Sequence, residues 1–156
     1  MYLIDEVLKA ASLSPATDAA GRTGLYVTLK NSVWAYVVYY LDQGNAATIA
    51  LTPQQAKDIS GTGAKAIPAV PIWLNNDMAA SSVLVKQADA ASFTTDATTK
   101  KKLVVFQIEP ARLDINSGFI TVAAQTGASN AANVTSALVE VMPRLMGATT
   151  LNAMVN

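Results

Sequence analysis

The sequence predicts an all-β protein, an antiparallel sandwich or barrel, and two observations lead there. Short apolar segments rich in Val and Thr recur between turn signals, which is how many short strands read. The stretch from Leu103 to Leu145 then holds strongly apolar extended segments, separated by a polar turn and a loop of Thr, Gly, Ser and Asn. A chain of 156 residues fits one domain with an ordinary core. We divide it into an N-terminal arm (1–24), a sandwich (25–145) and a C-terminal tail (146–156).

The elements follow in order. Leu3, Val7 and Ala11 share one helical face, with Asp5 four residues before Lys9, so Leu3 to Ala11 reads as a short helix. The same segment also reads as an arm docking as a strand. Leu25 to Leu29 is a strand closed by Lys30-Asn31-Ser32. Val33 to Leu41 follows, with Trp34, Tyr36, Val38 and Tyr40 on one face. Both faces of that strand are apolar, so it is central, or one face meets a partner subunit. Asp42 to Asn45 reads as a four-residue hairpin loop, Ala46 to Thr52 as its antiparallel return, and Gln54 to Ile59, after Pro53, as one helical turn.

Ser60 to Pro71 is loop, made flexible by Gly61 and Gly63 and stiffened by Pro68 and Pro71. Further strands are expected at Ile72 to Leu74, Ser82 to Lys86, Leu103 to Glu109 and Phe119 to Gln125. Gln87 to Lys102 reads as a long exposed loop, ordered in an assembly. Asn133 to Met142 supports two readings. Val134, Leu138 and Met142 keep helical spacing, with Ser129 as cap and Pro143 as stop, while Val134, Thr135, Val139 and Val141 favour a strand. The strand is the preferred reading.

Composition narrows the function. Eleven basic and eleven acidic side chains cancel, which removes the electrostatic reason to expect nucleic acid or an anionic membrane as partner. Only 14% of residues are charged, a poor surface for a freely diffusing monomer and a sign that a partner covers part of it. There is no cysteine, hence no disulfide and no thiolate metal site. There is no histidine, which removes the familiar triads, dyads and imidazole ligands. Asp5 and Glu6 stand where a secretory signal would carry basic residues, and Val33 to Leu41 is too short to span a bilayer. A soluble protein that matures without oxidation is expected.

Each candidate site has a plainer reading. Glu109 and Asp114 flank Pro110-Ala111-Arg112 and suggest glycosidase-like acid/base work, but a turn in which Arg112 pairs with either acid explains them better. Asn75-Asn76-Asp77 clusters oxygens as a calcium site would, yet without alternating ligand spacing it reads as a turn. Gly61 to Lys65 lacks the residue order of a phosphate loop. Lys100-Lys101-Lys102 has no interleaved aromatic residue and reads as a solvated loop end. Asn133-Val134-Thr135 matches a glycosylation acceptor by coincidence. Trp34, Tyr36, Tyr39, Tyr40 and Trp73 suggest a sugar-stacking platform, although core or subunit interface is the commoner use. No catalytic residue, cofactor site or metal site is assigned, and an enzyme is not expected.

Three segments carry a resemblance. They are Gln43-Gly44-Asn45-Ala46-Ala47-Thr48 running on to Gln55-Ala56, Lys102 to Pro110 with Leu113-Asp114, and Thr126 to Asn133 with Arg144 and Ala148-Thr149-Thr150. In this order, with Gly61-Thr62-Gly63 and Pro71 to Asn76, the chain resembles a family of small tailed-bacteriophage virion structural proteins. Arg144 is followed by Leu145, where that family commonly carries an aromatic residue. The resemblance implies a capsid decoration or cement protein with a jelly-roll-like antiparallel β-sandwich. It implies the major capsid protein and further copies of itself, as homo-dimer or homo-trimer, as partners. It places the protein on the capsid exterior after synthesis in the host cytoplasm. A tail or head–tail connector component and a carbohydrate-binding surface module are the competing expectations.

Overall fold

Alternating burial along three long strands builds one layer of the protein, and this is plain in a computed structural model that describes residues 7–144. The strands are β1 (Leu8–Thr17), β2 (Arg22–Thr23), β3 (Val27–Thr28), β4 (Ser32–Gln43), β5 (Ala50–Leu51), β6 (Gln54–Ala56) and β7 (Lys65–Ala66). They continue as β8 (Ile72–Asn75), β9 (Val85–Lys86), β10 (Phe93–Thr94), β11 (Lys101–Ile108), β12 (Thr121–Ala123), β13 (Gln125–Thr126) and β14 (Asn133–Pro143). Two single 3₁₀ turns, Pro110–Arg112 and Ile115–Ser117, link β11 to β12. The all-β, antiparallel sandwich expected from the sequence is what the chain forms.

The first layer is a six-stranded sheet in the order β1-β14-β4-β11-β8-β9, antiparallel throughout. Ala35, Val37, Tyr39 and Leu41 of β4 point inward, as do Val104, Phe106 and Ile108 of β11 and Ala137, Val139 and Val141 of β14. The second layer consists of two four-stranded pieces, β10-β5-β13-β2 and β3-β12-β6-β7. Three runs of chain (22–28, 50–56 and 121–126) pass from one piece to the other, so the two are halves of one interrupted layer. Pro53 lacks an amide donor at one interruption, and Gly24 sits where a Cβ would lie 2.2 Å from the Ser12 carbonyl oxygen. The Gly24 and Thr52 amides still donate across the gap, to Ala124 at 2.8 Å and Gln125 at 3.0 Å.

With those runs taken as single strands, the chain alternates between layers: β1, 22–28, β4, 50–56, then β11, 121–126, β14. Its ends meet as neighbours in each layer, which is the double Greek key of a jelly roll. The hairpin β8–β9 extends the first layer beyond β11. One apolar core lies between the layers, joining Val37, Phe106 and Val139 to Val27, Leu51 and Val122.

Several expectations change. Ala46 to Thr52 is not a hairpin return on β4, because β14 and β11 already occupy both edges of β4 and the chain must cross to the other layer. Gln54 to Ile59 does not begin as a helical turn: Gln54–Ala56 is buried strand, paired with β12 and β7. Gln87 to Lys102 is not wholly exposed loop. Ala90 bridges to Val70, β10 pairs with β5, and Thr95 is buried with its hydroxyl accepting from the Ile49 amide at 3.0 Å. The helical readings fail where they can be checked. Leu8–Thr17 is an edge strand on β14, and Asn133–Pro143 is a strand between β1 and β4. The remainder of the proposed first helix (residues 3–6), Leu145 and the tail (146–156) lie outside the described residues.

Tyr39 joins the layers. Its ring packs edge-on against Phe106, with centroids 5.8 Å apart. Its hydroxyl donates to the Gln125 carbonyl at 3.2 Å and accepts from the Gln125 amide at 3.0 Å, at the interruption between β12 and β13. Burial pushes this phenol far above its ordinary pKa, so it stays protonated. Tyr39→Phe is expected to destabilise the fold by about 1–3 kcal/mol, chiefly by leaving the Gln125 amide without its acceptor, since the Gln125 carbonyl keeps the Thr52 amide. Urea unfolding would register this as a lower midpoint with an unchanged slope.

Candidate interaction surface

The outward residues of the six-stranded sheet fall into transverse rows set by register. One row is Trp73–Val105–Val38–Leu138. To one side lies Leu103–Tyr40–Ser136, and to the other Gln107–Tyr36–Glu140–Lys9. Trp34 and Met142 pair beyond that. All of these side chains are half-buried or exposed, whereas the residues between them on β11, on β14 and on β4 from Ala35 to Leu41 are buried. At ordinary strand spacing the Trp73–Leu138 row is about 14 Å wide, and Trp34 to Tyr40 covers about 20 Å along β4. The charges lie toward the rim and are paired there: Lys9 with Glu140 at 3.6 Å and Lys101 with Asp42 at 3.9 Å. An uncharged aromatic and aliphatic centre inside a polar rim is the anatomy of a protein interface.

On the opposite side the chain folds back over the β3-β12-β6-β7 half, while Thr23, Ala50, Thr94 and Gln125 of the other half are half-buried or exposed. Tyr26, Ala56 and Ala123 form a small cluster outside the second layer. Gly61 lies over the Tyr26 ring, so closely that a Cβ there would come within 2.7 Å of it, and its φ of +82° suits glycine. The Asp58 carboxylate accepts from the Ser60 and Thr62 amides, at 3.0 and 3.1 Å, and pins the turn. Hydrogen bonding, chiefly from Thr62, holds Asp58 below its ordinary pKa. The amides of Ser60, Gly61, Thr62 and Ala64 are therefore already taken by acceptors within the loop.

One end of the sandwich carries polar networks. Asn133, fully buried, accepts from the Asn45 amide at 2.8 Å and donates to the Ala47 carbonyl and Ser129 hydroxyl, each at 2.9 Å. The loops around Gln43 to Thr48 and Thr126 to Asn133, which carry two of the three resembling segments, are thus packed on each other. Beside them Lys102 is fully buried. Its ammonium donates to Gln43 Oε1 at 2.8 Å and to Asp96 Oδ1 at 2.6 Å. Burial would raise the Asp96 pKa, but hydrogen bonds from Lys102, Thr98 and Asn76 together hold it well below the carboxylate range. At the start of the chain, buried Asp18 binds Arg22 at 3.0 Å and the hydroxyls of Thr126 and Thr135, tying the β1–β2 turn to β13 and β14.

The sequence candidates resolve as follows. Glu109 pairs with Arg112 at 3.7 Å, while Asp114 pairs with Lys65 at 2.7 Å, so the two carboxylates do not share a site. The Lys65 hydrogen bond holds Asp114 below its ordinary pKa, the wrong direction for a general acid. Asn75-Asn76-Asp77 is a turn: Asn75 Oδ1 accepts from the Asp77 amide at 3.0 Å, and Asp77 pairs with Lys100 at 2.7 Å. That contact lowers the pKa of Asp77 and raises that of Lys100. Lys100-Lys101-Lys102 is not a solvated loop end, since strand alternation turns Lys102 into the core. Tyr39 leaves the aromatic platform for the core, whereas Trp34, Tyr36, Tyr40 and Trp73 share the outer face. Sequence reasoning passed over Leu103, Val105, Leu138 and Met142 as members of that face. Their signal was the two-sided apolarity of β11 and β14.

These features define a class, an antiparallel jelly-roll sandwich whose six-stranded sheet keeps an open aromatic and aliphatic outer face. Among the described residues no helix is long and apolar enough to cross a membrane. No protein-family model matches the sequence, and no curated protein matches it. Among solved structures the chain is similar to the SPBc2 prophage-derived protein YomS, at 11% identity over 87% of this chain and 93% of that one, with a TM-score of 0.48. It is also similar to a subunit of the disulfide-linked pili of Bacillus endospores, at 9% identity over 88% of each chain and a TM-score of 0.38. A third likeness is to the enzymatically active domain of tailspike protein 4 of bacteriophage CBA120. There the identity is 6% and the TM-score 0.44, over 87% of this chain and 19% of that one. At these scores none of the three assigns a function to this chain.

Proposed function

We propose that the protein is a structural component of a bacteriophage virion that decorates and cements the capsid, docking the outer face of its six-stranded sheet across neighbouring major capsid proteins. The observation that carries this reading is the uncharged row Trp73–Val105–Val38–Leu138, left open on the broad face of the six-stranded sheet. The family resemblance supplies the capsid as the partner. In this reading the work is mechanical and needs no catalysis: many small contacts on a lattice add up through multivalency. The sandwich then resists separation of the subunits beneath it. Protein copy number per purified particle tests this. Copies in the hundreds are expected, whereas about a dozen, the count of a closed ring, would point to a connector or tail component and overturn the cement role.

A second reading, glycan binding, is favoured by one observation: four aromatic side chains, Trp34, Tyr36, Tyr40 and Trp73, lie on the same face with Gln107 and Glu140 among them. Loss of glycan affinity in Trp73→Ala with the fold intact would establish it. Tryptophan fluorescence indifferent to sugars would remove it.

A further inference from the structure

The two edges of the six-stranded sheet are guarded very differently. The β1 edge carries Pro15, the charge of Lys9 and two register shifts, between Ala11 and Leu13 and between Leu13 and Ala16. Prolines, lysines and bulges are the devices that keep an exposed edge from pairing with another chain. The β9 edge has no proline and no register shift, and its one lysine, Lys86, stands at the end of the strand. Met78 to Val85 reads Met-Ala-Ala-Ser-Ser-Val-Leu-Val without a charge. Val83 and Val85 are 64% and 58% exposed, and Met78 and Leu84 are exposed beside them. Lys86, which follows, is paired with Asp89 at 3.5 Å.

The hydrogen-bonding groups of this edge are also free to pair. The Gln87 amide donates to the Ile72 carbonyl at 2.8 Å, and Leu74 lies opposite Val85. Gln87 and Val85 therefore turn their backbone groups toward β8. Successive strand residues alternate, so Lys86 turns its groups to the open edge, as Leu84 does once pairing extends the strand by one residue.

We propose that the β9 edge pairs antiparallel with the same edge of a second copy of this chain, about a two-fold axis at Leu84. An antiparallel pair of identical strands is self-complementary, so one sequence supplies both sides. The register centred on Leu84 sets Val83 opposite the partner's Val85, and Ser82 opposite the partner's Lys86. Apolar side chains then meet across the strands, and no like charges face each other. Pairing at this edge joins two six-stranded sheets into one and brings the two outer faces side by side. It is independent of what the outer face binds.

Sedimentation of the purified chain, without any shell, tests this over a micromolar to millimolar range. Wild type is expected at twice the chain mass. Leu84→Lys and Leu84→Glu, each opposing its own charge across the axis, are expected to weaken the dimer about tenfold or more. An equimolar mixture of the two is expected to restore it, which a merely structural defect would not do. A wild-type chain that stays monomeric, a dimer indifferent to Leu84→Lys, or a mixture that fails to pair would each overturn the proposal. Val38→Lys on the outer face should leave the dimer mass unchanged, which separates this result from any failure of capsid docking.

Discussion

Lys102→Ala is expected to cost about 3–5 kcal/mol of folding stability, a large share of what a domain of this size commands. The side chain is wholly buried, so its removal opens a cavity and strips Gln43 Oε1 of its ammonium partner. Gln43 in turn donates to the Ala47 carbonyl at 3.2 Å and the Asp96 carbonyl at 2.8 Å, so the damage spreads into the loop that carries the chain between layers. Asp96→Asn should cost less, about 2 kcal/mol, because that side chain is 48% exposed and water screens part of its interaction. Urea unfolding of both variants checks the order.

The same pair has a pH signature. Asp96 has a lower pKa folded than unfolded, so in acid the unfolded chain binds the extra proton and stability rises with pH. The contribution is complete above the unfolded value, near 4. It is lost as pH falls from there through the depressed folded value. Asp96→Asn should flatten the acid limb of the stability curve. An unchanged limb would show that Asp96 does not contribute to it.

The largest functional effect is expected from Val38→Lys, which should weaken binding to bare capsid shells about 100-fold or more. Val38 lies at the middle of the outer face, flanked by Val105 and Leu138. Its side chain is only half-buried, so a lysine stem can lie along the sheet with its charge in water and the free domain should keep its fold. In the docked state that charge would be sealed at the centre of an apolar contact without a partner. Co-sedimentation with shells lacking the protein measures the loss. Ala64→Lys, on the loop outside the opposite layer, is the control and should bind as wild type. Undiminished binding by Val38→Lys would move the docking surface elsewhere.

What could be read from residues alone followed from short-range periodicity. Val33 to Leu41 has two apolar faces, and that makes it either central or a strand with one face toward a partner subunit. The structure assigns Tyr39 inward and Trp34, Tyr36 and Tyr40 outward. Asn133 to Pro143 is a strand because β-branched residues alternate on it, and its helical spacing was the accidental pattern. Lys102 was misjudged for an equally local reason. Three consecutive lysines look solvated until the strand is known to begin at Lys101, when alternation sends the middle of the three outward and the last inward.

The outer face shows the other limit. Its row Trp73–Val105–Val38–Leu138 is drawn from four strands scattered across the sequence, and only their register places them side by side. The crossing of the chain at Gly44 had the same cause, since a hairpin at Asp42 to Asn45 is locally reasonable and fails only because β14 and β11 flank β4. By itself the sequence determined an all-β antiparallel domain, because strand periodicity and turn chemistry are properties of neighbouring residues. Only the tertiary structure decided which apolar face stayed open, which lysine was buried and which sheet edge was left the less guarded. Those depend on pairings between residues far apart in the chain.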